Sequence, residues 1–139
     1  MSGKIFLDTN ILVYAHDASG GAKHTRAQAV MDDLWTSRRG VLSTQVLQEF
    51  AFNLRRKISP PLSTAETREW LVEYMRWEVV INTPNSILNA LEIEERYQVS
   101  FWDAMILQAA ATAGADTLYS EDLSDGHTYG TVRVVNPLK

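Results

Sequence analysis

Short apolar runs alternate with longer stretches of helical periodicity along the whole chain, and that alternation leaves few folds open. Residues 4–7, 40–42, 78–81 and 117–119 read as strands, with residues 131–135 as a fifth. Strands separated by helices are the signature of βα units, in which the helix carries the chain back so that the next strand runs parallel. Residues 10–16 read as a short helix, followed by a Gly20-Gly21 break. Residues 23–36 place Ala27, Val30, Met31 and Leu34 at helix spacing. Ser43 or Thr44 caps a helix to about Arg56, and Pro60-Pro61 then forces a turn. Ser63 and Glu66 form a capping-box pattern opening a helix to about Trp77. Thr83-Pro84 starts another, through Tyr97. The last begins near Ser100 and stops at Gly114, its Ala109, Ala110, Ala111 and Ala113 suited to close packing on a sheet. The expectation is an α/β fold: one domain over residues 1–139, with a mainly parallel sheet of four to five strands flanked by helices.

Composition narrows the class. A chain of 139 residues, 45% hydrophobic and 22% charged, suits one globular core rather than disorder. There is no cysteine, which excludes disulfide scaffolds, zinc thiolates and cysteine nucleophiles. No apolar run approaches the ~20 residues of a membrane span. Asp8 interrupts the first apolar stretch too early for a signal peptide, so no membrane and a cytoplasmic location are expected. Thirteen Lys+Arg stand against 17 Asp+Glu, a balance that by itself disfavours nucleic acid.

Four of those acids fall in telling places. Asp8 follows the first strand in LDTN, and Asp122 follows the fourth in YSED. Ligands of parallel sheets bind beyond the carboxyl ends of the strands, so both acids occupy that edge. Acids after strands are also common as turn and capping residues. Glu49 lies on the shoulder of the apolar arc formed by Val46, Leu47, Phe50, Ala51 and Leu54. Asp103 shares a stripe with Ile106, Leu107 and Ala110, yet Ser100 to Asp103 also matches a capping box. Carboxylates converging in one cleft repel unless a cation intervenes. Mg²⁺ and Mn²⁺ take oxygen ligands, acidify water and stabilise the charge of phosphodiester cleavage. Thr9, Asn10 and Ser120 are candidates to orient carboxylates from behind, or are simply caps and turn formers.

LDTNILVYA, STQVLQEF, SFWDAMIL and LYSEDLSDG, in that order, resemble the PIN domain over essentially the whole chain, from Lys4 to the VRVVNP tail. The chain is similar to the small VapC-type toxins of bacterial toxin–antitoxin pairs. That resemblance implies an acidic quartet of Asp8, Glu49, Asp103 and Asp122, with Asp8 and Asp103 as direct Mg²⁺ ligands. It makes Asn10 and Ser120 supporting positions. It further implies endoribonuclease cleavage of RNA by metal-activated water, Mn²⁺ as a possible substitute, a homodimer, and a cognate antitoxin whose C-terminal segment enters the acidic cleft. Glu121 and Asp125 are further acids without an assigned role.

Other residues carry weaker signals. Lys23, His24, Arg26, Arg38-Arg39 and Arg55-Arg56-Lys57 are either grips for RNA phosphates or solvated helix ends. Phe101-Trp102 reads as core packing more readily than as a base-stacking pair. Trp35, Trp70 and Trp77 read as core or dimer interface. His16, His24 and His127 have no partners for a hydrolase triad.

Three other functions compete. A receiver-type phosphoacceptor domain wants an acidic pair after the first strand and a Lys after the last, whereas Thr9 follows Asp8 and only Lys139 lies near the end. A haloacid-type phosphatase needs Asp where Asn10 stands. A catalytically silent PIN-like binding module is opposed by acids at all four positions. Without those four, 13 acidic residues balance 13 basic ones, so the excess acid is concentrated at the expected site.

Overall fold

The computed structural model describes residues 3–139. Six strands form one sheet: β1 (Ile5–Leu7), β2 (Gly40–Ser43), β3 (Glu78–Val80), β4 (Thr117–Tyr119), β5 (Thr128–Tyr129) and β6 (Val132–Val135). Their order is β3-β2-β1-β4-β6-β5, parallel except for the β5–β6 pair. The helices are α1 (Thr9–His16), α2 (Ala22–Ser37), α3 (Thr44–Arg56), α4 (Thr64–Tyr74), α5 (Pro84–Tyr97) and α6 (Phe101–Thr112). The α/β expectation holds, and the sheet has one strand more than the four to five foreseen. The addition, β5, is two residues long and polar at Thr128, too short to leave a periodic pattern. It returns on β6 through Gly130, whose φ of +62° suits glycine.

All three residues of β1 and all four of β2 are buried, as expected of central strands covered on both faces. Phe6, Leu7, Leu42, Leu118 and Val134 meet Ile11 and Leu12 of α1, Leu34 of α2, Val46, Phe50 and Leu54 of α3, and Ile106 of α6 in one main apolar cluster. α1 packs against α2 and α3, and α3 against α4. α5 pairs with α6, which also contacts β2, β4 and β6.

The capping signals act as their chemistry requires. Ser63 Oγ accepts from Glu66 N at 3.1 Å and Ser63 N donates to Glu66 Oε1 at 3.0 Å, closing the capping box of α4. At the end of α6, Gly114 (φ +72°) donates to Ala111 and Ala115 donates to Ala110, which satisfies two carbonyls that the helix leaves open. α4 stops at Tyr74, three residues short of the expected Trp77. Met75 and Arg76 turn the chain, and the Trp77 ring lies against Gly40 of β2, where a β-carbon would collide with it.

His16 sits within an aromatic group formed by Phe50, Trp70 and Tyr74, with its Nε2 2.7 Å from the Tyr74 hydroxyl. Burial, helped by His24, lowers its pKa from 6.5 to about 4. The unfolded chain therefore takes up a proton between pH 6.5 and about 4 that the folded chain refuses. Stability from this site is complete above pH 6.5 and falls as the pH drops through that window, by roughly 3 kcal/mol in total. Urea unfolding at pH 7 and pH 4.5 should show this loss in the wild type and a clearly smaller loss in His16→Gln. Equal losses in the two proteins would refute it.

Candidate active site

The sheet order reverses its direction of growth at β1. The chain leaves β1 to build β2 and β3 on one side, while β4 and β6 lie on the other. Helices diverge at such a switch point and open a crevice beyond the strand ends. β1 and β4 are neighbours in register, with Leu7 opposite Tyr119, so the next residues, Asp8 and Ser120, meet at that crevice.

Asp8 is the best-held group there and is only 6% exposed. Its Oδ1 accepts from Thr9 N at 2.7 Å, as the N-cap of α1, and its Oδ2 accepts from Ser120 Oγ at 2.8 Å. Burial raises its pKa from 3.8 to about 7. The two hydrogen bonds pull the other way, and the negative charges of Asp122 and Asp103 add to the rise.

Asp103 stands in the first turn of α6, its backbone N–H held by the Ser100 hydroxyl at 3.1 Å. Asp122 follows β4 on the surface. Its N–H donates to Ser120 Oγ at 3.1 Å, and Asn10 Nδ2 donates to its Oδ2 at 3.2 Å. Desolvation and the negative charges of Asp103, Glu121 and Glu49 raise the Asp122 pKa, against the lowering effect of Lys23. One carboxylate oxygen from each of Asp8, Asp103 and Asp122 lies within 4.8 Å of the others. Glu49 lies outside that three-way group but lines the same cleft, where its Oε1 accepts from Thr9 Oγ1 at 2.6 Å. Thr9 thus links Glu49 to Asp8 through one residue.

Capping and clustering are the same feature here. The N-termini of α1 and α6 both point at the crevice, so an acid that caps or opens a helix also faces the other acids. Helix N-termini favour such charges, but among the described residues no Lys or Arg forms an ion pair with any of the four acids. Three carboxylates with oxygens this close together, one of them buried and none in an ion pair among the described residues, make a donor set suited to a hard divalent cation.

The cleft encloses about 500 Å³ and is also lined by Gln45, Gln48, Phe52, Asn53, Lys57, Trp102 and Ile106. The expectation of core packing fails for Trp102, which is 63% exposed, while Phe101 beside it packs on Ala90, Ala104 and Met105. Side chains in a first helical turn tilt back past the helix end, so Trp102 has no preceding turn to cover it. That position, immediately before Asp103, is the signal from which its place could have been read. Of the basic residues singled out, Lys57 reaches the cleft, Lys23 pairs with Glu121 at 2.9 Å, and Arg26 donates to the Leu138 carbonyl. Asp125 binds Lys139 Nζ and Asn136 N, both at 2.8 Å, and so ties down the C-terminal segment.

A mainly parallel α/β sheet with acids gathered at its switch point defines an architectural class, and the sequence comparison specifies the family. Residues 5–124 match the profile of the PIN domain, and the chain belongs to that family. Among solved structures it is similar to VapC20 of Mycobacterium tuberculosis, described as a sarcin–ricin-loop-cleaving toxin, with a TM-score of 0.63 and 23% identity over 86% of this chain and 90% of that one. It is similar to a toxin–antitoxin complex from Klebsiella pneumoniae, with a TM-score of 0.71 and 16% identity over 96% and 98%. DNA-bound VapBC2 of Rickettsia felis gives a TM-score of 0.62 and 16% identity over 94% and 96%. The search of curated proteins returns no match.

Crowding of like charge predicts a stability effect apart from any activity. In EDTA at pH 8, Asp8→Asn should unfold at higher urea than the wild type, by about 1–3 kcal/mol, because it removes a buried uncompensated charge. Millimolar Mg²⁺ or Mn²⁺ should then raise the melting temperature of the wild type and not that of the variant. A wild type indifferent to both ions would contradict the metal-site reading.

Proposed function

We propose that the protein is a divalent-metal-dependent endoribonuclease and the toxin of a type II toxin–antitoxin pair. The observation that carries this reading is the convergence of Asp8, Asp103 and Asp122, without a paired cation, at the crevice of a PIN-family sheet. Asp8 and Asp103 are the principal metal ligands, and Asp122 and Glu49 complete the quartet. Mg²⁺ is the expected ion, with Mn²⁺ as a substitute. When bound, the ion neutralises the acids and supplies Lewis-acid stabilisation and water activation for phosphodiester hydrolysis.

The chain's own groups set up that chemistry. Ser120 Oγ and Thr9 N fix both oxygens of Asp8 and so restrict its rotation. Asn10 orients Asp122, and Thr9 Oγ1 orients Glu49. The raised pKa values of Asp8 and Asp122 mean that cation binding and proton loss are coupled, so metal affinity rises with pH. Lys57, at the rim of the cleft, is suited to an RNA phosphate.

The remaining parts of the reading concern partners. An antitoxin segment bearing Arg or Lys complements the acidic cleft by charge. A second copy of the chain would cover the exposed apolar side chains Ile87, Leu88 and Leu91 of α5 together with Ile81. The structural neighbours from Klebsiella pneumoniae and Rickettsia felis are toxin–antitoxin complexes, which favours such a partner here. The described residues contain no helix long and apolar enough to cross a membrane, and a cytoplasmic site of action is part of the proposal.

Incubation of the antitoxin-free protein with total RNA and end mapping of the products tests the activity and locates its target. Cleavage should require Mg²⁺ or Mn²⁺, stop in EDTA, and be lost in Asp8→Asn and Asp103→Asn. Ser120→Ala should retain activity reduced by about 10- to 100-fold, as expected for loss of a group that orients a ligand. Total RNA left intact with either ion would remove the ribonuclease assignment. An acyl phosphate trapped on Asp8 would move the case to phosphoacceptor signalling. In sedimentation, the wild type should run as a dimer and Leu88→Glu as a 15.7 kDa monomer.

A further inference from the structure

We propose that Trp102 is a stacking platform for an unpaired nucleobase beside the phosphodiester at the acid cluster. The inference rests on the ribonuclease reading above and adds to it a specificity residue that acts on the base. Trp102 is 63% exposed and lines the same cleft as Asp8, Asp103 and Asp122. Phe101 meets it edge-to-face, with ring centroids 5.1 Å apart and planes at 78°, and is itself anchored against Ala90 and Met105. The indole is therefore braced on one side by a packed ring. A second aromatic, Phe52 of α3, is 52% exposed and lines the cleft as well.

Two large aromatics left in water along one acid-lined cleft call for a ligand with flat apolar faces. Charge alone serves a polyanion poorly in this cleft, because Lys57 is its sole lysine or arginine among the described residues. Stacking on an aromatic ring is independent of charge and tolerant of sequence, since every base has a π-face. The bases of a duplex are already stacked on one another, whereas those of a single strand or loop can be splayed out. Because Trp102 directly precedes Asp103, a base on the indole sits one residue from a carboxylate of the reacting centre.

The test compares Trp102→Ala, Trp102→Phe and Trp102→Leu in the full chain. It uses a labelled single-stranded oligoribonucleotide, spanning the cleavage site where one is mapped and of mixed sequence otherwise, and the same sequence as a duplex. Binding is read by fluorescence anisotropy in Ca²⁺, and cleavage by steady-state kinetics in Mg²⁺. Trp102→Ala should weaken single-strand binding about tenfold and raise KM by a similar factor, with kcat nearly unchanged and no loss of melting temperature. Trp102→Phe should recover most of the affinity, and Trp102→Leu, equally apolar but without a π-face, should not. An abasic nucleotide beside the cleavage site should cost the wild type the same factor and cost Trp102→Ala almost nothing. A wild type that cleaves RNA while Trp102→Ala matches it in binding and KM would overturn the platform and leave the ribonuclease reading standing. So would Trp102→Leu behaving like Trp102→Phe, or Trp102→Ala binding RNA normally but a protein antitoxin weakly. A wild type that binds the single strand through Trp102 but cuts nothing would fail the ribonuclease reading alone. Neither binding nor cleavage would end both.

Discussion

Asp8 is held between two donors at the end of the central strand, and the rest of the site is arranged around that attachment. Its backbone N–H donates to the Tyr119 carbonyl, its Oδ1 caps α1, and its Oδ2 takes the Ser120 hydroxyl. The parallel pairing of β1 with β4 extends through these bonds one residue past the sheet. A buried carboxylate raised to a pKa of about 7 is a costly object for a small fold to hold. The two hydrogen bonds offset only part of that cost. The remainder is what makes the position responsive to a cation, since a positive charge placed there relieves desolvation and repulsion together.

Topology explains why the other acids come to the same place from remote parts of the chain. Asp122 follows β4, the neighbour of β1. Asp103 opens α6, the helix that leads into β4. Glu49 lies one and a half turns into α3, the helix that leaves β2 on the other side of β1. Each stands at or near the N-terminal end of a helix or just past a strand, and the parallel sheet turns all those ends toward one edge. The positive helix ends favour Asp8, which caps α1, and Asp103, in the first turn of α6. No long-range search for partners is needed, because the βα repeat delivers them.

Much of this was legible in the sequence because it follows from local chemistry. The alternation of apolar strand and amphipathic helix, the capping boxes and the Gly114 stop are all written in residues a few positions apart. The gathering of the acids was legible for a related reason, since Asp8 and Asp122 mark strand ends and Asp103 marks a helix start. What escaped depends on contacts between distant segments. The early end of α4 follows from Trp77 packing on Gly40, 37 positions away in sequence and invisible to any local pattern. β5 is too short to be periodic and exists only because β6 offers it an edge. Trp102 was misread because an aromatic at the start of an apolar helix usually turns inward. Phe101 does so, packing on Ala90, Ala104 and Met105, and Trp102 does not.

The net charge of −4 then has a different meaning from the one composition suggests. Averaged over the surface, it describes a domain that repels RNA. Resolved by position, the excess acid is gathered in one cleft, and several other acids are already spoken for: Glu121 by Lys23, Asp125 by Lys139 and Glu78 by Lys4. A cleft of that kind acquires affinity for phosphate only with a cation in it, because the ion reverses the sign of the local field. Before that, it has little with which to retain a nucleic acid except flat apolar surface. The exposure of Trp102 and Phe52 beside the acids is consistent with this division of labour. Metal and carboxylates would act on the phosphate, and the aromatic rings on the base.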